Sequence, residues 1–69
     1  MEYEIIKKLG IIEGDPEGYR LEANIISWDG RAPKVDIRKW QPTNKPAGGI
    51  CLSESGMEKL REILKDVTL

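Results

Sequence analysis

The hydrophobic period of this chain changes once, at Ser53, and that change constrains the fold more than any other feature. Ahead of Ser53, apolar residues alternate with polar ones or cluster in β-branched runs, the signature of strands. Beyond it, Met57, Leu60, Ile63, Leu64 and Val67 recur at spacings of three and four, which lays an apolar stripe along one side of a helix. One helix must therefore serve every strand that precedes it.

Four strands are predicted. In YEIIKKLGIIE, residues 3–13, Tyr3, Ile5, Leu9 and Ile11 form one apolar face interrupted by Lys7. GDPEG, residues 14–18, is a turn in which Asp15 can cap its own backbone. YRLEANIISW, residues 19–28, is the second strand, with Leu21, Ala23 and Ile25 on one face and Tyr19, Ile26 and Trp28 spread over both. Asp29-Gly30 marks a hairpin, because its turn needs positive φ that glycine supplies without steric cost. KVDIRKW, residues 34–40, alternates strictly: Val35 and Ile37 point one way, Lys34, Asp36, Arg38 and Trp40 the other. With two prolines and a glycine pair, QPTNKPAGG, residues 41–49, is expected to be irregular, and GICLS to give a short fourth strand with Ile50 and Leu52 on one face.

Ser53 or Ser55 is the natural helix N-cap, and Ser55 with Glu58 fits the capping-box spacing. Gly56 weakens that first turn by about 1 kcal/mol relative to alanine. The fold class is thus α+β: residues 1–69 form one domain, a curved four-stranded antiparallel sheet followed by one C-terminal helix, ββββα. One helix covers one face of such a sheet. The other must meet water, a subunit or a ligand.

Composition narrows the function. A domain of 69 residues buries only roughly 60% of the surface its unfolded chain exposes. A single cysteine allows no intrachain disulfide, and the lack of histidine removes the usual zinc ligand sets, so self-association is the expected reinforcement and neither metal nor cofactor is expected. MEYEIIKKLGII has acidic residues ahead of its apolar run and fits neither a secretory signal nor a membrane span, so a cytoplasmic protein is expected. Catalysis is not expected either. No nucleophile and base pair is arranged, Cys51 between Ile50 and Leu52 reads as a small hydrophobe, and Glu13 and Asp15 flank a turn. The Gly48-Gly49 pair lacks the spacing, lysine and helix of a phosphate loop.

The net charge of −1 hides a basic middle. Residues 1–30 hold seven acids and three bases, whereas residues 31–53 hold Arg31, Lys34, Arg38, Lys39 and Lys45 against Asp36 alone. Scattered charge serves solubility in any small domain, but an anion responds to the local field. Lys34, Arg38 and Trp40 share the side opposite Val35 and Ile37. Trp28 precedes the Asp-Gly turn, Arg31 follows it, and Lys45 sits in the next loop. Indoles among cations suit a single strand of nucleic acid, whose unpaired bases stack on tryptophan while cations track the phosphates. The same tryptophans would serve equally as core, and Arg38 as a cover for apolar surface.

The run SWDGRAPKVDIRKWQPTNKPAGGICLS, followed by MEKLREIL, resembles the positive cofactor four family of transcriptional coactivators, in particular its short bacterial YdbC-like branch. YEII at the start, GYR at the entry to the second strand and SW before its end are similar to that branch as well. The resemblance implies a homodimer joined through helix and sheet edges, and binding of single-stranded DNA across the concave sheet faces without strong sequence preference. It implies a role in transcription regulation or in handling exposed strands during replication and repair, in the cytoplasm and at the nucleoid in a bacterium. Carried over by position, Trp28 resembles the aromatic ending the second strand, Arg31 a basic turn residue, Arg38 and Trp40 the arginine and aromatic of the DIR strand, and Lys45 a loop cation. Lys34 is added to these. Asp29 stands where a lysine would help a phosphate, and NKPAGG offers one cation, so a log-log salt slope of about −2 to −4 per bound segment is expected. The same face would also suit a partner protein, for which Trp and Arg are favoured anchors, or single-stranded RNA.

Overall fold

In a computed structural model, which describes residues 2–69, the chain runs β1 (Tyr3–Gly14), β2 (Arg20–Trp28), β3 (Lys34–Trp40), β4 (Pro46–Leu52) and α1 (Glu54–Leu64). The strands form one antiparallel sheet in the order β1-β2-β3-β4, so the ββββα architecture expected from the change of period is present. Among the described residues no helix is long and apolar enough to cross a membrane.

The turns follow local chemistry. Asp15 accepts from the Glu17 amide through its side chain and from the Gly18 amide through its carbonyl, each at 2.9 Å. Asp29 and Gly30 take φ of 51° and 74°, and the Arg31 amide donates to the Trp28 carbonyl at 2.9 Å. Two successive positive φ values match the right-handed twist of the flanking strands.

The third connection departs from expectation. Only residues 41–45 turn, closed by the Gln41 amide on the Lys45 carbonyl at 2.9 Å with Asn44 at φ 62°, and Pro46 to Gly49 belong to β4. Pro46 is tolerated as the first residue of an edge strand, where its missing N–H costs no ladder bond. Gly49 is there for close approach: a Cβ at this position would lie 2.0 Å from the Arg38 Cβ. The glycine pair that reads as a breaker lets β4 press against β3.

β1 departs more strongly. Its twelve residues pair with the nine of β2 through three register shifts, which leave Ile6, Leu9 and Ile12 without partners. Tyr3, Ile5, Lys8 and Ile11 therefore stand opposite Trp28, Ile26, Asn24 and Glu22, and from Ile5 onward the spacing is three in place of the expected two. Each bulge bends its strand and adds twist, and three in succession curl the sheet. The curl brings Tyr3, at the start of β1, within 5.8 Å of Trp40, at the end of β3, measured between ring centroids.

That curl also moves the core. Helix α1 lies against β3 and β4, and a cleft lined by Ile25, Val35, Leu52 and Met57 runs between helix and sheet. Yet no residue of α1 is buried, and Leu21, Ala23, Ile25, Val35, Ile37 and Leu52 on this side are only half-buried. The buried residues Ile26, Trp40, Asn24 and Asp36 all belong to the opposite, concave face. Trp40, expected on an open face, is 3% exposed. For β2 and β3 the expected sides hold and the expected burial does not, because a bent sheet closes its concave side upon itself without help from a helix.

The helix starts at Ser53, whose Oγ accepts from the Gly56 amide at 3.2 Å, while the Ser55 hydroxyl pairs with that of Ser53 at 3.1 Å. Ser53 is therefore the cap and the Ser55–Glu58 box is not used. Ile63, Leu64 and, just past the helix, Val67 remain exposed.

Candidate nucleic-acid interface

The concave face is organised around one carboxylate. Asp36 is fully buried. Arg38 Nε and Nη2 donate to its Oδ1 and Oδ2, both at 2.7 Å, and Trp28 Nε1 donates to Oδ2 at 3.0 Å. The Cys51 thiol adds a fourth bond at 3.2 Å. Burial alone would raise the Asp36 carboxyl, but the bonds from Arg38, Trp28 and Cys51 together with the Arg38 charge outweigh it and hold the group below the usual carboxylate range. The same hydrogen bond to Asp36 raises Arg38 further above neutrality. Cys51 is pushed up by burial and by the adjoining carboxylate, so it stays a thiol at neutral pH and is a poor nucleophile.

Arg38 is thereby fixed in place. Its Nη1 donates to the Ala47 carbonyl of β4 at 3.0 Å, and its guanidinium carbon lies over the Trp28 ring, 4.6 Å from the centroid. From β1, on the other flank of β2, the Tyr3 ring approaches the same indole with a centroid separation of 5.0 Å. Trp28 is held by an aromatic on one side, a cation on the other and a carboxylate at its edge.

A cleft of about 330 Å³ opens over this cluster, lined by Trp28, Arg31, Lys34 and Arg38 together with Asp29 and Cys51. Its size is at the lower end of small-ligand clefts, about 300–1,000 Å³. Arg38 is offset by Asp36. Arg31 and Lys34 are exposed and form no ion pair among the described residues, while the Asp29 carboxylate is engaged by the Glu2 amide at 2.9 Å. The amide bond leaves the Asp29 charge in place, so Arg31 and Lys34 against Asp29 make the mouth net positive by one charge.

Four of the six residues singled out from the sequence, Trp28, Arg31, Lys34 and Arg38, thus share one cleft. Trp40 does not line it: the indole is buried against Tyr3, and its Nε1 has no hydrogen-bond partner among the described residues. Lys45 is exposed in the turn between β3 and β4, at the far end of β3 from the cleft.

Sequence reasoning passed over three features. Asp36 was simply the lone acid of a basic segment, although alternation already put it on the side of Arg38. Tyr3 was placed on an apolar face, not beside the tryptophans. The third is a polar row along β2. Arg20 pairs with Glu22 and reaches the Asn44 side chain at 2.8 Å, and Asn24 donates to Glu22 at 3.1 Å. For Glu22, burial is outweighed by bonds from Asn24 and Arg20 and by the charges of Arg20 and Lys8, so its carboxyl too is lowered. With charges balanced and donors in use, this row stiffens the concave face beside a second cleft of about 250 Å³.

No family model matches the chain. It is 35% identical over 68 residues, covering 97% of this chain and 80% of the relative, to an uncharacterized protein of Treponema pallidum (strain Nichols).

Proposed function

Because the chain belongs to one family with a Treponema pallidum protein described only as uncharacterized, its function has to be read from its own cleft, and we propose that it binds single-stranded DNA there, without strong sequence preference. An unpaired base enters the cleft beside Trp28 and Arg38, and Arg31 and Lys34 meet the flanking phosphates. The observation that carries this is the convergence of an indole and three cations on one cleft of about 330 Å³ in a chain whose net charge is −1. The reading agrees with what resemblance to the positive cofactor four family implies. It gives the protein a place in transcription regulation or in handling exposed strands during replication and repair, in the cytoplasm, and makes it a binding protein and not an enzyme.

We further propose that it acts as a homodimer. Ile63 and Leu64, 64% and 54% exposed, form an uncovered apolar stripe on α1, and the half-buried face of β2 and β3 beside it lacks full cover. A second copy would bury both, which a marginal 69-residue domain needs.

Titration with an oligothymidylate, followed by tryptophan fluorescence at low and moderate salt, tests the function. Saturable quenching that weakens with salt is expected; no binding of a labelled oligothymidylate, read by fluorescence anisotropy at micromolar protein, would refute it. Duplex and RNA competitors set the preference, and sedimentation reads the dimer. Since Asp36 neutralises Arg38, only Arg31 and Lys34 release counterions. The slope should be about −1.4 per cleft, shallower than the sequence alone suggested.

A further inference from the structure

We infer that Arg38, and not the Trp28 indole, presents the surface on which a base stacks, a deepening that rests on the single-strand reading above. Trp28 has neighbours on both flanks: the Arg38 guanidinium carbon lies 4.6 Å from its ring centroid, and the Tyr3 ring lies 5.0 Å away on the side of β1. Trp28 also borders the cleft, but a base stacking flat on its ring competes with these two neighbours for it.

Arg38 is also unsuited to following a phosphate. Four hydrogen bonds occupy its donors, two on Asp36 at 2.7 Å, one on the Ala47 carbonyl at 3.0 Å and a long one on Cys51 Sγ at 3.9 Å, and its charge is matched by that of Asp36. Swinging the guanidinium toward a phosphate would strand the Asp36 carboxylate, which has no exposed surface, and release the indole beneath. The bonds that fix the group run through its nitrogens and so lie near its plane. Its faces are what remain; its central carbon lies over the Trp28 ring, and the 15% of the side chain that is still exposed borders the cleft together with Arg31 and Lys34.

A guanidinium held flat in this way is a stacking platform, and unpaired bases stack on arginine planes as they do on aromatic rings. Trp28 backs the platform and Asp36 fixes its orientation. The ligand class is a planar, unpaired nucleobase whose phosphates lie toward Arg31 and Lys34. Exposed bases are therefore required as well as charge, which distinguishes a single strand from a duplex of higher charge density.

The test compares an oligothymidylate with an abasic oligomer of equal length and charge, on the full chain and on Arg38→Lys. Lysine retains the charge and can pair with Asp36 but has no plane. The native protein is expected to prefer thymidylate by about tenfold or more. Arg38→Lys should lose that preference, its thymidylate affinity falling to that of the abasic oligomer, whereas Arg31→Ala should weaken both oligomers and keep the preference. A second measurement uses only the native protein: on adding an oligodeoxyadenylate, the Arg38 Nε–H proton resonance should shift upfield, and the abasic oligomer should leave it in place. Equal preference in Arg38→Lys, or a shift confined to the Trp28 indole proton, would overturn the platform and leave single-strand binding standing. Salt-dependent binding without preference for bases would also overturn it. If neither oligomer binds, the function proposed above fails with it.

Discussion

Replacing Asp36 by asparagine tests the centre of the concave face. The side chain is fully buried and accepts four bonds, of which the two from Arg38 are the shortest. Asparagine keeps the volume, removes the charge and turns one acceptor into a donor facing donors. Summing four charge-assisted bonds at about 1.5–3 kcal/mol each would overstate the loss, because a relaxed Arg38 regains water. The relevant scale is that of breaking a buried pair, about 3–5 kcal/mol, and with Arg38 bordering an open cleft the low end, about 3 kcal/mol, is expected. A chain of 69 residues has roughly 3–10 kcal/mol in total, so the loss is a large fraction of its stability. Urea unfolding should be followed by far-UV circular dichroism, since both tryptophans sit in or beside the cluster and their fluorescence would mix local with global change. Acid provides an independent arm. The folded Asp36 carboxyl is lowered, so its stabilisation is complete above the unfolded value of about pH 4 and is lost as pH falls through the folded one. Asp36→Asn should lack that component of acid unfolding. Arg38→Met added to it should recover part of the loss, because a cation without its carboxylate is worse than neither. A single substitution costing less than about 1 kcal/mol, with an unchanged acid profile, would refute the central role given to this carboxylate.

Other expected outcomes follow from burial and close approach. Trp40→Ala should cost about 3–5 kcal/mol in the same denaturation assay, and Trp40→Phe less than half of that, because the indole N–H has no partner to lose. Gly49→Ala should lower the thermal midpoint, since the added Cβ would meet the Arg38 Cβ at 2.0 Å and the Ile37 carbonyl at 2.5 Å and has to push β4 from β3, at about 1–3 kcal/mol. Ser53→Ala should cost about 1 kcal/mol of helix capping, and Ser55→Ala much less, read by chemical denaturation. Arg31→Ala or Lys34→Ala should each make the salt slope of DNA binding shallower by about 0.7 and leave the urea midpoint unchanged.

Much of this molecule is legible from local chemistry. The change of period at Ser53, the Asp-Gly turn and the strict alternation of KVDIRKW each depend on neighbours in sequence, and each is found where expected. Alternation put Lys34, Arg38 and Trp40 on one side of β3 and the Asp-Gly turn put Trp28 and Arg31 beside it; of these, Trp28, Arg31, Lys34 and Arg38 share one cleft. Burial was a different matter. Alternation assigns a side chain to a face, but it carries no information about whether that face bends shut. The bulges at Ile6, Leu9 and Ile12 arise from pairing twelve residues against nine, a relation between strands that neither strand contains.

The amino-acid order by itself thus determined the succession of elements, the hairpin turn and the side of the sheet on which the residues of β2 and β3 stand, because φ preferences and hydrophobic period act over a few residues. Only the tertiary structure decided that the helix-free face is the buried one, that Trp40 lies inside it, and that Arg38 is held by Asp36 beneath a cleft. Those outcomes depend on curvature accumulated along β1 and on groups from four strands meeting in the concavity, and separations of that length carry no period to read.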